Sequence, residues 1–557
     1  MIFMNLMSKN KKSITSFFLL LLFIIFFIIK YRFFVDLFPG IDQVFYIKWI
    51  IDLANSKNFF PVGDNSFYLN LISDNNSFLH NYFRRIYNDV GVIYNVIPLF
   101  LNLIFAKIGN YNVASFNTLS IFFNCLIPLF ITIHLLEGKK LTIKEHFYAS
   151  TLHYLFISSF FSIFFFAPHG IHNYSLLFLI ISVIIFERNI KKINFLNFHT
   201  IIYGILIPCF SHKFNIIIIF LSIFLILILR FFNNLRIKKD LIITILLFFI
   251  ILSPMFIFTF IGERNIELLK IFFLGKNELT EESFISTILN YISISTINSF
   301  KIFSINLWNN LGLFGIILFL ISLFNKKFVI IKVFIISTFL IFIFLPLSPY
   351  IGRLFNYFLI LSIFLICNYF SNFLIGKKKV DRLMQTLLII TILVNFLPLV
   401  FNNMQNNFQN KLANKYQNND IWNKKINKII EIVGNENILF YQYLARDVYY
   451  SNYNKIDNIK NIYSTPSIYD LSTRYMNDDN QYLEKITFDK NKFKNTYVLF
   501  FGKEFEKDLD KRFCYLQKIF FGSCSNLQIV NYSDIKKPLK YDGDSHILVL
   551  NLYKSID

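Results

Sequence analysis

The chain has 557 residues, of which 55% are hydrophobic and 73 are phenylalanine, and its mean hydropathy is +0.52. This composition excludes an ordinary water-soluble enzyme, because a soluble chain of this length does not need so much apolar surface. The net charge of +21 is spread over short basic clusters between apolar segments. Such clusters are typical of the cytoplasmic loops of membrane proteins, so nucleic-acid binding is not expected.

The first predicted element is an apolar run over residues 14–29, followed at once by Lys30 and Arg32. No small-residue cleavage site follows it, so an uncleaved signal anchor is a better interpretation than a removed signal peptide. Placing every basic cluster in the cytoplasm predicts about eleven spans, with the N-terminus inside and the C-terminus outside. The predicted spans are residues 14–31, 116–136, 147–166, 174–187, 198–210, 214–231, 241–261, 304–324, 328–347, 354–375 and 383–401.

Residues 33–115 form one large predicted outer loop between the first two spans. Its apolar segment 92–108 is not counted as a span, because counting it would move the basic pair Lys139 and Lys140 outside. We interpret this segment as a helix in the outer membrane interface. Large outer loops with such helices usually carry chemistry rather than simple connections.

The composition becomes polar at Asn402, and no further span is predicted. The fold class is therefore a polytopic α-helical membrane protein with a C-terminal soluble α/β domain. Helical periodicity and short β-rich apolar runs predict the elements of that domain. The predicted regions are a membrane-embedded body at 1–401, a linker at 402–420, an extracytoplasmic domain at 421–557, a helix at 421–433, and strands at 437–441, 496–501 and 546–552.

The five cysteines divide in the same way. Cys125, Cys209 and Cys367 fall inside predicted spans, where a thiol behaves as a small apolar side chain. Cys514 and Cys524 fall in the predicted outer domain, where an oxidising compartment allows them to form a disulfide.

Asp42 is the strongest candidate for a chemical role. It follows the Pro39-Gly40 break at a plausible helix N-cap, and Lys48, Asp52 and Trp49 then predict an amphipathic helix at the interface. A carboxylate in that place can reach both a lipid headgroup and a water-borne acceptor. The alternative is that Asp42 serves only as a helix cap.

The first outer loop resembles that of the GT-C superfamily of polyprenyl-phosphate-dependent glycosyltransferases. The resemblance is carried by Asp42, by Leu53-Ala54 and Asn58-Phe59-Phe60-Pro61, by the segment Gly91–Gly109, by Ser211-His212-Lys213 at a helix start, and by Gly352-Arg353-Leu354 heading a late span. It covers most of residues 10–400 at the level of layout. The family usually has Asp-Glu where this chain has Asp42 and Gln43, and this weakens a two-carboxylate metal site.

The resemblance implies an inverting glycosyltransferase of the cell envelope. The donor is a polyprenyl-phosphate-linked sugar, and the acceptor is an extracytoplasmic glycolipid, polysaccharide or protein. Asp42 is implied to act on the acceptor nucleophile as general base or through a metal, while the leaving phosphate requires nearby positive charge. The candidate substrate-binding residues are Arg353, Lys213, His212, Arg84, Arg85 and Tyr46.

His169 and His172 are candidate metal ligands together with Asp42. Two histidines do not make a site alone, so participation of Mg²⁺ or Mn²⁺ stays open. Structural alternatives stay open too: Arg353 in contact with lipid headgroups, and Lys213 with His212 as a charged loop at a span end. The acidic loop 262–301 is predicted to cover the active site.

Two other functions are compatible with the sequence. The first is an O-antigen-type polymerase or ligase, although such proteins usually lack an acidic motif directly after the first span. The second is a transporter of lipid-linked saccharides, for which repeated halves and broken helices at mid-membrane are expected but not evident. The glycosyltransferase hypothesis places the chain in a bacterial inner (plasma) membrane with its N-terminus in the cytoplasm.

Overall fold

The computed structural model describes the helical segments, six strands and some connecting residues. The described residues are 11–34, 50, 95–108, 111, 113–137, 139, 141–160, 170–190, 192, 195–233, 235, 237–261, 284–325, 327–344, 351–371, 373, 378–400, 428–429, 431–434, 436–441, 462–464, 496–503, 527–529, 539–540 and 547–555.

A helical segment lies at every predicted span. The helices are α1 (Lys11–Phe34), α2 (Val96–Ile108), α3 (Val113–Leu136), α4 (Ile143–Ser158), α5 (Gly170–Asn189), a π-helix (Thr200–Leu206) that runs into α6 (Ile207–Cys209), α7 (Lys213–Phe232), α8 (Lys238–Ile261), α9 (Phe284–Phe324), α10 (Val329–Phe344), α11 (Ile351–Phe370) and α12 (Lys379–Val400). Helices suit this sequence in lipid because they satisfy their backbone hydrogen bonds internally.

Three helices in the described part of the chain are both long and apolar enough to cross a membrane. They are Ala114–Leu136, Phe214–Phe232 and Phe300–Phe324. Four shorter apolar helices, of 10–17 residues, accompany them. The chain is therefore a mostly helical protein of the membrane class. The number of spans and their sidedness stay predictions.

Two helices begin or end differently from the prediction near the candidate site. α1 continues to Phe34, three residues past the predicted end of the span at residue 31, and Lys30 is a buried residue of the helix. α5 begins at Gly170, and His172, which was predicted to lie in a loop, belongs to its first turn. In both cases the helix extends past the apolar run because its polar residues find buried hydrogen-bond partners in neighbouring helices.

Helix α9 begins within the predicted outer loop 262–301, which is therefore at most partly a loop. The residues from Phe284 onward carry apolar side chains at helical spacing, so the helix starts well before the predicted span at 304. Gly312 interrupts α9 with φ +62° and ψ 178°. That backbone conformation favours glycine, because a Cβ is strained at positive φ.

Aromatic contacts explain part of the phenylalanine content. Phe303 of α9 makes edge-on ring contacts with two residues of α10 and two of α11. The ring-centroid distances are 5.1 Å to Phe339, 5.1 Å to Phe342, 5.6 Å to Phe355 and 4.7 Å to Phe358. Edge-to-face pairs at such distances are favourable beyond the area that they bury, so this cluster joins α9, α10 and α11.

Buried Arg230 joins three parts of the bundle at the C-terminal end of α7. Its guanidinium donates to the backbone carbonyls of Ile190 and Lys192. It lies 3.5 Å from a carboxylate oxygen of Asp240 and 5.2 Å from the ring centroid of Phe195. Because both charged side chains are almost fully buried, each depends on the other for compensation.

We expect Asp240→Asn to destabilise the protein by about 3–5 kcal/mol, because it leaves a buried guanidinium without its anion. The same change at Asp381, where the side chain caps the exposed start of α12, is the matched control. Asparagine keeps a side-chain oxygen that can accept this exposed hydrogen bond from the Lys378 N–H, so a change within about 0.5 kcal/mol is expected there. Unfolding of each purified variant by SDS titration in mixed micelles measures both values, and equal values for the two variants would contradict this role of Asp240.

The basic residue Lys139 lies between α3 and α4 and is partly buried. Its Nζ donates to the Ser371 carbonyl at 2.9 Å, directly after α11. Burial lowers the pKa of Lys139 from its usual value. The loop that the sequence assigned to the cytoplasm is thus bonded to the end of another helix.

The C-terminal part contains a six-stranded mixed sheet. The strands are β1 (Asn437–Tyr441), β2 (Ile462–Ser464), β3 (Thr496–Lys503), β4 (Leu527–Ile529), β5 (Leu539–Lys540) and β6 (Ile547–Ser555). β1 pairs in parallel with β2 and β3, and β6 pairs antiparallel with β3, β4 and β5. The order is β2-β1-β3-β6-β4, with β5 beside β6.

The three predicted strands correspond to β1, β3 and β6, with the same start for β1 and β3. The helices from Asn117 to Phe401 and the strands belong to two separate compact units. The linker and the complete α/β domain stay predictions. Cys125, Cys209 and Cys367 are buried free thiols, as predicted, whereas the proposed Cys514–Cys524 disulfide lies outside the described residues.

Candidate functional site

The structure brings together two of the nine predicted site residues, His172 and His212. Lys213 and Arg353 are the first residue of α7 and the third residue of α11, and the structure gives their backbone positions. The other predicted site residues lie outside the described part of the chain. These are Asp42, Tyr46, Arg84, Arg85 and His169.

The rings of His172 and His212 are in contact, with their centroids 4.4 Å apart and an interplanar angle of 51°. His172 lies in the first turn of α5, and His212 immediately precedes α7. His212 is 7% exposed. Forty residues separate the pair along the chain, so packing of α5 against the start of α7 creates it.

His212 caps the N-terminus of α7. Its Nδ1 accepts a hydrogen bond from the Phe214 backbone N–H at 3.2 Å, and its backbone is extended. Because a backbone N–H can only donate, Nδ1 must be unprotonated, and the ring proton of His212 is on Nε2. The residue is therefore a neutral imidazole whose single ring N–H is at Nε2.

Tyr357 of α11 completes the cluster. Its hydroxyl lies 2.7 Å from the Ser175 hydroxyl and 3.4 Å from Nδ1 of His172. Its ring centroid is 6.2 Å from that of His212. The side chain is fully buried, so Tyr357 links α11 to both histidines from inside the bundle.

A hydrogen-bonded turn holds His212 in place. The Asn215 amide nitrogen donates to the carbonyls of Pro208 and Ser175 at 3.0 and 3.2 Å and to the Ser211 hydroxyl at 3.1 Å. The Ser211 hydroxyl donates to the Pro208 carbonyl at 2.6 Å. This network joins both sides of the turn to α5, and it follows the π-helix, a geometry often found at functional sites.

Three helices direct their N-terminal parts toward this cluster. α5 begins at Gly170, α7 at Lys213 and α11 at Ile351. The aligned peptide dipoles give the start of each helix a partial positive charge. At α7, the Phe214 N–H already donates to His212. Arg353 precedes Tyr357 by four residues, so its backbone lies on the same face of α11, one turn nearer the helix start. The arrangement suits an anion.

Sequence reasoning missed Tyr357, Ser175 and Asn215. Each is a polar residue inside an apolar predicted span, and buried polar residues in such spans are often functional. The spacing offered a further signal. Tyr357 follows Arg353 by four residues, so the two share a face of α11. Asn215 lies three residues after His212, the residue that caps α7.

No group of three or more His, Cys, Asp or Glu side chains is placed to hold a metal ion among the residues that the structure describes. The metal hypothesis involved Asp42 and His169, which lie outside that part. Binding of Mg²⁺ or Mn²⁺ therefore stays a prediction.

The chain matches no protein-family model, no curated protein and no solved structure. The resemblance to the GT-C superfamily thus depends on the residues and layout of this chain alone.

We expect Tyr357→Phe to lower the free energy of unfolding by about 1 kcal/mol, because the change removes one hydroxyl and leaves the Ser175 hydroxyl without that partner. Tyr148, an exposed tyrosine of α4, supplies the matched Tyr→Phe control, for which no measurable loss is expected. SDS titration of both variants gives the comparison. If Tyr357→Phe is no less stable than the control, the hydroxyl does not join α11 to α5.

Proposed function

We propose that the chain is an inverting glycosyltransferase that moves a sugar from a polyprenyl-phosphate-linked donor to an extracytoplasmic acceptor. The observation that carries the proposal is the contact between His172 and His212, beside Tyr357, where α5, α7 and α11 have their N-terminal parts. The acceptor is a glycolipid, a surface polysaccharide or a protein.

The phosphate of the donor is the group that this site suits. Helix N-termini bind phosphate because their N–H groups and dipoles favour negative charge. Lys213 and Arg353 add two cationic residues at the starts of α7 and α11, and arginine in particular recognises phosphate with paired hydrogen bonds. The Nε2–H of His212 supplies a neutral donor beside them.

The reaction follows from these roles. The carboxylate of Asp42 takes the proton of the acceptor hydroxyl, and the hydroxyl oxygen attacks the anomeric carbon of the sugar. The bond between that carbon and the phosphate oxygen breaks, and polyprenyl phosphate leaves with an additional negative charge. Positive groups at the cluster stabilise that charge more in the transition state than in the ground state, which lowers the barrier.

We propose the following number and sidedness of the membrane spans. About eleven spans bring the N-terminus to the cytoplasm and the cluster to the opposite face, in a bacterial inner membrane. The C-terminal α/β domain then lies outside the cytoplasm. By its position there, it recognises the acceptor or supports the body.

The test is sugar transfer by the purified chain in liposomes that contain a polyprenyl-phosphate-linked, radiolabelled sugar. Unmodified protein should form a glycosidic bond of inverted configuration. Asp42→Asn should slow transfer about 100- to 10,000-fold, because the general base is lost. Asp52→Asn, the other carboxylate of the same predicted helix, is the matched control and should stay active.

Other outcomes overturn the proposal. Polymerisation of a pyrophosphate-linked oligosaccharide, without use of the monophosphate donor, identifies a polymerase or ligase. Movement of labelled lipid across the bilayer without a new glycosidic bond identifies a transporter. Full activity of Asp42→Asn removes the catalytic role of that residue.

The variant His212→Asn distinguishes a role of His212 in donor binding from its role in capping α7. Asparagine also caps helices well, so α7 should stay intact while the imidazole Nε2–H is lost. We expect the KM for the donor to rise about ten-fold, as for the loss of one strong hydrogen bond to a charged group. His199, an exposed histidine at the start of the π-helix, gives the control His199→Asn with an unchanged KM. An unchanged KM in His212→Asn would remove His212 from the donor site.

A further inference from the structure

A buried lysine, Lys30, lies near the end of α1, and it is only 2% exposed. Its Nζ donates to the side-chain oxygen of Asn124 in α3 at 2.6 Å. A buried ammonium group is costly in an apolar bundle unless its hydrogen bonds are satisfied. The sequence places this lysine directly after the apolar run 14–29, inside the end of the first predicted span. Its burial is a structural finding, and Lys30 is not part of the candidate site.

Asn124 continues the network to α5. The Asn124 amide nitrogen donates to the side-chain oxygen of Asn173 at 3.0 Å. The Asn173 amide nitrogen in turn donates to the Ser120 hydroxyl at 2.7 Å and to the Ser120 carbonyl at 3.3 Å. A continuous chain of hydrogen bonds therefore joins α1, α3 and α5.

The lysine determines the donor-to-acceptor direction of the hydrogen bonds from Lys30 through Asn124 to Asn173. An ammonium group has donors and no acceptor, so Asn124 must turn its oxygen toward Lys30 and its nitrogen toward Asn173. Asn173 must then accept with its oxygen and donate with its nitrogen. The donor-only group of Lys30 thus removes the two-fold ambiguity of the Asn124 amide. At the other end, the Ser120 carbonyl can only accept, and it requires the same direction of Asn173.

Asn173 directly follows His172 in the first turns of α5. Successive helical residues point about 100° apart around the axis, so Asn173 faces α3 while His172 faces α7 and α11. Holding Asn173 therefore restrains the rotation of α5 about its axis. The same rotation sets where His172 and Ser175 meet Tyr357.

We propose that Lys30 is a positioning residue for the contact between His172 and His212, acting through the directed amide chain of Asn124 and Asn173. A test by sugar transfer depends on the proposed function. A test by the relative position of the His172 and His212 rings does not depend on it.

Two variants test the proposal. Lys30→Met keeps an unbranched side chain, one atom shorter, but removes the donor. Asn124→Asp keeps an acceptor for Lys30, and adds an opposite charge, but cannot donate to Asn173 from an ionised carboxylate. If Lys30 needs only a partner for its charge, Asn124→Asp is harmless. If it positions α5, both variants have the same defect.

Ser182→Ala is the matched control, because Ser182 also makes one buried hydrogen bond from α5, to the Gly204 carbonyl at 2.6 Å, but belongs to no part of the amide chain. The probe is the ¹⁵N spectrum of the full chain in lipid nanodiscs with labelled histidine, recorded as a function of pH. His172→Gln and His212→Gln assign the two ring signals.

Lys30→Met and Asn124→Asp should both shift the ring signals of His172 and His212, and Ser182→Ala should leave them unchanged. In the transfer assay both variants should raise the KM for the donor by about ten-fold and change the KM for the acceptor less. Unchanged signals in Lys30→Met, or an Asn124→Asp spectrum like that of Ser182→Ala, overturn the positioning role. Shifted signals in a chain whose unmodified form transfers no sugar support the positioning role and refute the proposed function.

Discussion

The hydrogen bonds of Asn215 are the constraint on which the candidate site depends. In a lipid environment a polar side chain has no water to bond with, so its partners must come from the protein. The Asn215 amide nitrogen, after the turn, donates to the Pro208 carbonyl before the turn and to the Ser175 carbonyl of α5. Removal of the Asn215 amide would take one donor from three buried acceptors at once, which is costly. The turn therefore holds a single geometry, and His212 meets His172 as a result.

Much of the architecture could be predicted from the sequence, because long apolar runs have few alternatives to helix in a membrane. The starts of α7 and α11 were predicted at Ser211-His212-Lys213 and Gly352-Arg353-Leu354, and the structure agrees. These signals are local: a polar or charged residue follows a break and precedes an apolar run. The strand β1 was predicted for a similar reason, from its short β-rich run.

The cluster itself could not be predicted, because it depends on which helices pack together. Nothing near Tyr357 in the sequence indicates that its hydroxyl meets Ser175, a residue 182 positions away. The burial of Lys30 could not be predicted from the sequence for the same reason. A lysine after an apolar run usually marks the membrane boundary, and only the amide of Asn124, on another helix, explains why this one is buried. Hydropathy describes a segment, whereas the site is made by contacts between segments.

Helix α7 is fastened at both ends. Its N-terminal residues are tied to α5 by Asn215, and at its other end the guanidinium of Arg230 is bonded to the backbone after α5 and to Asp240 of α8. Helix α7 can neither slide along α5 nor rotate about its own axis without breaking the hydrogen bonds at one of its ends. A conformational change that keeps these hydrogen bonds therefore leaves α5 and α7 in a fixed relative position.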